Sequence, residues 1–216
     1  MITLYHCLSA RSFRPLWALE EMGLPYALKV LPFPPRAFAK EYFDVNVLGT
    51  VPFLIDGDTR MSESAAICEY LAVRHGPSPL AVRPDEADYG LWLNWLHQSD
   101  ATLTFPQALV LRYGRFEPAE RRQPQVVEDY AKWFHGRLRM LDAHLLKHEW
   151  LAAGRFTMAD VAVGYALMLS ESTGLAKDLQ PQTAAYWGRL KGRDGFRRAL
   201  AAQDKAAAEQ GVKPAI

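Results

Sequence analysis

Residues 1–80 alternate between strand-like and helix-like patterns so regularly that few folds can accommodate them. Residues 2 to 7 read as a short buried strand. Phe13 to Met22 then place Leu16, Trp17, Leu19 and Met22 at helical spacing before Gly23 ends the helix, and Tyr26 to Leu31 return as a second strand. A strand–helix–strand unit of about thirty residues has the length that a right-handed parallel crossover needs. After Pro32-Phe33-Pro34-Pro35 comes a short helical stretch near Phe38 to Phe43. Val51 to Ile55 and Arg60-Met61 then flank Asp56-Gly57-Asp58, the mark of a tight antiparallel hairpin. Ser62 is placed to cap a helix over Ser64 to Arg74, whose apolar face carries Ala65, Ile67, Cys68 and Leu71.

The order β-α-β-α-β-β-α predicts an α/β domain of thioredoxin-like fold over residues 1–80. Gly76-Pro77-Ser78-Pro79 and Arg83-Pro84-Asp85 form a stiff linker, beyond which strand signals fade and alanine, leucine, tryptophan and charged residues dominate. Helices are predicted over Glu86 to Tyr113 with a bend at Pro106, and over Gln125 to Lys147, Met158 to Ser172, Gln182 to Lys191 and Gly195 to Glu209, giving an all-α domain over residues 86–210. Half of the 216 residues are hydrophobic, enough for a sizeable core. Lys and Arg number 25 against 24 for Asp and Glu, a balance that argues against nucleic acid or an acidic membrane as partner. Cys7 and Cys68 are too few for a disulfide framework, and the longest apolar run, Val161 to Leu169, is too short to span a bilayer. A cytoplasmic protein is the expectation.

A fold of this kind does not settle function, and the motifs carry that burden. Ser9-Ala10-Arg11-Ser12-Phe13-Arg14-Pro15-Leu16-Trp17-Ala18-Leu19-Glu20-Glu21, then Gly49-Thr50-Val51-Pro52-Phe53-Leu54 and Glu63-Ser64-Ala65-Ala66-Ile67, resemble the glutathione transferase family in wording and spacing. Thr157-Met158-Ala159-Asp160-Val161 resembles the helix-capping segment of that family's C-terminal domain. The resemblance covers nearly the whole chain. It implies that Ser9, five residues before Arg14, takes the place where relatives put the serine or cysteine that contacts glutathione sulfur. It also implies a cis Val51-Pro52 bond, with the backbone before it pairing with the cysteinyl part of the ligand like an added strand. Thr50 stands where many relatives carry lysine, so no charged contact to the glycyl carboxylate is expected from position 50, and Val47 stands where they carry a proline after Asn46.

The chemistry is intelligible from the residues themselves. A hydroxyl at a strand-to-helix turn can donate to a thiolate, and the adjacent helix N-terminus adds partial positive charge. A free thiol of pKa about 8.5 is only a few per cent ionised near neutrality, so lowering it by about two units takes about 2.7 kcal/mol of thiolate stabilisation. Taken alone, Ser9 reads as a helix N-cap, and the motif context reverses that reading. Arg11 could approach a ligand carboxylate or assist Ser9. At the entry to the third helix, a backbone N–H and the Ser64 hydroxyl can bind the γ-glutamyl carboxylate while Glu63 faces its ammonium. Ser9 and Ser12 stand at the spacing of a Cys-x-x-Cys pair but carry no sulfur, which excludes dithiol exchange there. Thr157 and Asp160 have capping-box spacing and a structural role.

The expected activity is transfer of glutathione, as cosubstrate and without a metal, to a hydrophobic electrophilic small molecule, a detoxification chemistry, with the helical domain contributing the acceptor pocket. Trp92, Trp95, Phe105 and Tyr113 lie along the long helix that would face the glutathione sulfur, a few of them to line that pocket, while most aromatics at such spacing are core. Glutathione-dependent isomerisation or peroxide reduction would use the same thiolate, and a non-catalytic glutathione-binding protein would keep the same fold. By the resemblance the chain is a homodimer, with Asp100 reaching toward the partner's γ-glutamyl group.

Overall fold

The computed structural model describes residues 1–213. They fall into two compact units, Met1–Ser78 together with the stretch from Lys191 on, and Pro79–Leu190. In the first, β1 (Ile2–His6), β2 (Tyr26–Val30), β3 (Phe53–Asp56) and β4 (Thr59–Met61) form one sheet in the order β2-β1-β3-β4. β1 and β2 are parallel, from Ile2 opposite Tyr26 to His6 opposite Val30, and α1 (Phe13–Met22) connects them. β3 lies antiparallel on the other side of β1, with Tyr5 opposite Phe53, and the two-residue turn Gly57-Asp58 leads into β4. Gly57 takes the left-handed φ of 58° that such a turn demands. The short α2 (Pro35–Phe38) and a 3₁₀ turn over Lys40–Asp44 precede β3, and α3 (Ser64–Arg74) follows β4. This is the thioredoxin-like order that the sequence predicts.

Period-two alternation along β1 divides the core into two layers. Ile2, Leu4 and His6 are buried on the side where α1 contributes Phe13, Leu16, Trp17 and Leu19 and α3 contributes Ile67, Cys68 and Leu71. Tyr5 faces the other side, in a cluster with Ala39, Tyr42 and Phe53.

The last helix, α9 (Asp194–Glu209), groups with the sheet domain rather than with the helical residues 86–210 in which its composition placed it. Its buried stripe is Phe196, Ala199, Gln203 and Ala207, and the Phe196 ring meets Trp17 edge-on at 5.0 Å and Phe13 at 5.5 Å. Arg193 forks onto the Glu21 carboxylate at 2.8 and 2.9 Å, and Gly195 lies where any Cβ would strike that same side chain. Helical periodicity reveals that a stripe must be buried but not against which partner. Beyond it, Gln210 accepts from the Val30 N–H at 2.9 Å and donates to the Leu28 carbonyl at 3.0 Å, covering the free edge of β2.

The second unit holds α4 (Tyr89–Gln98), α5 (Phe105–Leu111), α6 (Pro124–Leu145), α7 (Met158–Thr173) and all but the last residue of α8 (Pro181–Lys191). Instead of a single bend at Pro106, π-helical turns over Ser99–Thr104 and Arg112–Phe116 flank α5. A proline lacks the N–H that an α-helical ladder needs, and the wider turn before it absorbs the mismatch. No helix among the described residues is long and apolar enough to cross a membrane.

α7 is buried almost all round, and its first turn is held by the capping box that the sequence predicts. The fully buried Asp160 carboxylate accepts from the Thr157 N–H at 2.8 Å, the Leu151 N–H at 3.2 Å and the Tyr186 hydroxyl at 2.8 Å. Truncation strands three buried donors at once, each costing about 1–3 kcal/mol when unsatisfied. Asp160→Ala should therefore lower unfolding free energy by roughly 3–5 kcal/mol, read as a shifted urea midpoint. A loss under about 1 kcal/mol would mean that these bonds do not hold α7.

Candidate active site

Strand register brings the sequence motifs to one end of the sheet. β1 ends there at His6. β3, running the other way, begins there at Phe53 opposite Tyr5, and β4 ends there with Met61 opposite Leu54. The turn carrying Ser9 and Arg11, the loop carrying Thr50, Val51 and Pro52, and the α3 entry carrying Glu63 and Ser64 therefore share one edge of the domain.

Ser9 is exposed and takes a φ of 55°, a left-handed conformation uncommon outside glycine, asparagine and aspartate. Its N–H donates to Gln203 Oε1 at 3.1 Å. The N-cap of α1 is Ser12, so the reading of Ser9 as a cap does not hold. Ser12 is fully buried, its hydroxyl accepting from the Cys7 N–H at 3.2 Å and lying 3.3 Å from the Cys7 carbonyl, to which it donates. One serine ties the turn while the other is presented at the surface. Arg11, between them, is half-buried.

The Val51-Pro52 peptide is cis. The Thr50 carbonyl before it accepts from the Tyr42 hydroxyl at 2.8 Å and from Asn46 Nδ2 at 2.9 Å, which fills both lone pairs. Asn46 Oδ1 accepts from the Leu48 N–H at 3.1 Å, closing the loop on itself. Sequence reasoning missed Tyr42 and Asn46. Their signal was an asparagine four residues before the strand-opening segment, a usual turn former. Burial pushes the Tyr42 phenol up to about 12, keeping it a neutral donor.

Glu63, not Ser62, is the N-cap position of α3, and its exposed side chain makes no capping bond. Ser64 is buried and its Oγ accepts from Arg14 Nη1 at 2.9 Å, the guanidinium itself being fully buried. The motif arginine of α1 thus reaches the motif serine of α3 directly. Of the aromatics singled out by sequence, Trp92 and Trp95 are core residues at 1 % exposure, whereas Phe105 is exposed and Tyr113 half-buried.

Residues 8–74 match the family profile described as "Glutathione S-transferase, N-terminal domain". Among curated proteins, the chain is 26 % identical to glutathione S-transferase 3 of Schizosaccharomyces pombe over 82 % of this chain and 77 % of that one. It is also 26 % identical to glutathione S-transferase 3 of Zea mays over 90 % of each. Among solved structures, a glutathione transferase from Phanerochaete chrysosporium in complex with oxidized glutathione superposes with a TM-score of 0.80 at 27 % identity. The superposition covers 95 % of this chain and 97 % of the other. All three comparisons find glutathione S-transferases similar to this chain. The thioredoxin-like sheet domain followed by helices is the architecture this chain shares with solved glutathione transferase structures.

Burial pushes both cysteine thiols up to about 12, and neither Cys7 nor Cys68 is exposed. Burial also lowers His6 from 6.5 to about 4, only partly offset by its hydrogen bond to Gln203. The unfolded chain therefore takes up the His6 proton first. The stability contributed by neutral His6 is complete above pH 6.5 and declines as pH falls toward 4, by roughly 3 kcal/mol in all. Asp160 acts oppositely: burial raises it from 3.8 to about 6, so its protonation over the same window favours the folded state. The informative measurement is the difference in urea stability between the wild type and His6→Gln. This difference should move against the wild type by about 2–3 kcal/mol between pH 7 and 4.5. A difference independent of pH would mean that His6 does not titrate differently on folding.

Proposed function

We propose that this transferase binds glutathione along the sheet end that carries Ser9, Val51 and Glu63-Ser64, and joins its thiolate to hydrophobic electrophilic small molecules. The observation that carries the reading is Ser9, exposed and held left-handed at the strand-to-helix turn, at the same end of the sheet as Val51-Pro52. The Ser9 hydroxyl donates to the glutathione sulfur and stabilises it as thiolate, the thiol proton leaving to solvent. The sulfur lone pair then forms the new carbon–sulfur bond, and the electron pair of the broken bond departs with the leaving group.

Val51 offers its backbone to the cysteinyl unit, since the Thr50 carbonyl is already filled, and Pro52 fixes that edge. Thr50 contributes an exposed hydroxyl rather than a charge, and Arg11 approaches a ligand carboxylate. Ser64 accepts from Arg14 and so keeps its own hydrogen to donate to the γ-glutamyl carboxylate, while the neighbouring buried cation favours the anion. Glu63, exposed and uncommitted to its helix, faces the ammonium. A reducing cytoplasm suits a thiol cosubstrate, and the family's homodimer is the expected assembly. Sedimentation at micromolar concentration should show a dimer, and a monomer alone would remove the role of Asp100 toward a partner.

Two substitutions separate chemistry from binding. Ser9→Ala should raise the pKa of bound glutathione by about one to two units and slow conjugation at neutral pH about 10- to 100-fold, with binding retained. Glu63→Ala should chiefly raise the Michaelis constant for glutathione, because its ammonium contact is equal in ground and transition states. Bound-thiolate absorbance against pH and steady-state rates with a panel of electrophiles give both readouts. A folded Ser9→Ala protein with the wild-type profile and rate would take the catalytic role from Ser9. Retention of the wild type on immobilised glutathione without turnover of any electrophile, isomerisable substrate or hydroperoxide would identify a binding protein instead.

A further inference from the structure

The buried stripe of α9 contains one polar side chain, Gln203, at 4 % exposure. Its Oε1 takes the Ser9 N–H at 3.1 Å and lies 3.1 Å from His6 Nε2. A backbone N–H can only donate, so the amide is oriented with its oxygen toward Ser9. The same oxygen cannot donate to His6, so His6 must carry its hydrogen on Nε2. The other ring nitrogen, Nδ1, is buried without a hydrogen-bond partner, as befits a neutral ring, and the ring is fully enclosed. The last residue of β1, a residue of the turn after it and a helix residue nearly two hundred positions away thus meet at one oxygen.

A left-handed serine costs on the order of 1–3 kcal/mol and persists only where surrounding contacts over-determine it. The Ala10 N–H donates to the Cys7 carbonyl at 3.1 Å and closes a turn across Leu8 and Ser9, which the Ser12 hydroxyl ties down at Cys7. Gln203 adds a bond to the Ser9 N–H itself, from outside the turn. We propose that Gln203 is a positioning residue of the transferase: from the C-terminal helix it fixes the Ser9 backbone, with His6 steadying its amide, and so aims the Ser9 hydroxyl at the glutathione sulfur. The proposal rests on the reading of Ser9 as the thiol-contacting residue. It makes the end of the chain part of the activation of a thiol bound near its beginning.

Gln203→Met keeps the length of the side chain and removes the acceptor. Compared with the wild type and Ser9→Ala, it should raise the pKa of bound glutathione by about one unit and lower kcat near neutrality about tenfold. The Michaelis constant for glutathione should stay within about twofold, because the γ-glutamyl contacts are untouched. In Ser9→Ala/Gln203→Met the second change should add nothing, since there is no hydroxyl left to aim. A purely structural role for Gln203 would lower the melting temperature while leaving the thiol pKa unmoved, and that result overturns the proposal. So does an additive loss in the double variant. If Ser9→Ala itself leaves the thiol pKa unchanged, the reading of Ser9 has failed. If Ser9→Ala shifts it and a folded Gln203→Met does not, only the positioning role has failed. Hydrogen exchange of the wild-type enzyme needs no variant. The Ser9 amide, on an exposed turn residue, should exchange at least ~100-fold more slowly than an unprotected amide, and exchange at the unprotected rate would overturn the proposal.

Discussion

Everything at the candidate site depends on the pairing of β1 with β3. Tyr5 opposite Phe53 fixes where the first strand stops and where the third begins. Because the strands are antiparallel, the exit from one and the entrance to the other fall at the same end of the sheet. The hairpin then returns β4 to that end, so the α3 entry arrives there as well. A slip of one residue would exchange the two faces of β3, sending Leu54 away from the helices and Phe53 out of its cluster with Tyr5 and Tyr42. Both layers of the core oppose that slip. The register is thus fixed by hydrophobic burial on two faces, and the convergence of three sequence motifs at one edge follows from it without further cost.

Within that frame, polar groups divide the work of holding the backbone from the work offered to a ligand. Ser12 spends its hydroxyl on Cys7, the Thr50 carbonyl is saturated by Tyr42 and Asn46, and Asp160 is absorbed in capping α7. Ser9 and Glu63 stay exposed at the same edge, and Ser64 keeps a donor while Arg14 occupies its oxygen. Immobile surroundings around a few exposed polar groups are what preorganisation requires, since groups already fixed lose little freedom when a ligand arrives.

The order of elements was legible because alternation, caps and turn residues are local signals. The β-α-β unit, the Gly57-Asp58 hairpin and the Thr157/Asp160 box each lie within a short window of sequence. The site motifs were legible for a different reason: their wording resembles a family, and strand register then assembles them. What stayed hidden is what links distant segments. Gln203 lies 194 residues from Ser9, and nothing near either residue points to the other. Its only local trace is a polar residue inside an otherwise apolar stripe of α9, a pattern that says a buried amide must find partners without saying which. The assignment of α9 to the sheet unit was hidden likewise, since the Arg193–Glu21 fork and the close approach at Gly195 are tertiary facts. The π turns beside Pro106 were masked by a proline that predicts a kink but not its form.

Sulfur chemistry on this scaffold must come from outside the chain. In a thioredoxin-like fold, dithiol exchange would call for cysteines where Ser9 and Ser12 stand, and neither has sulfur. The nearest thiol, Cys7, is fully buried, its Sγ only 3.8 Å from the Pro32 carbonyl, and burial holds it up to about 12, so at neutral pH it is a protonated packing group. Cys68, equally enclosed on α3, is raised to the same value although the Arg14 cation pulls it down. The contrast between the two cysteines and the turn ahead of α1 is electrostatic. A thiol inside the core sees a medium that penalises its anion, whereas a thiol brought to Ser9 would meet a hydroxyl and the N-terminal end of α1, both of which favour the anion. On the proposed reading of Ser9, a scaffold that keeps its own thiols protonated ionises instead a thiol that arrives with a ligand.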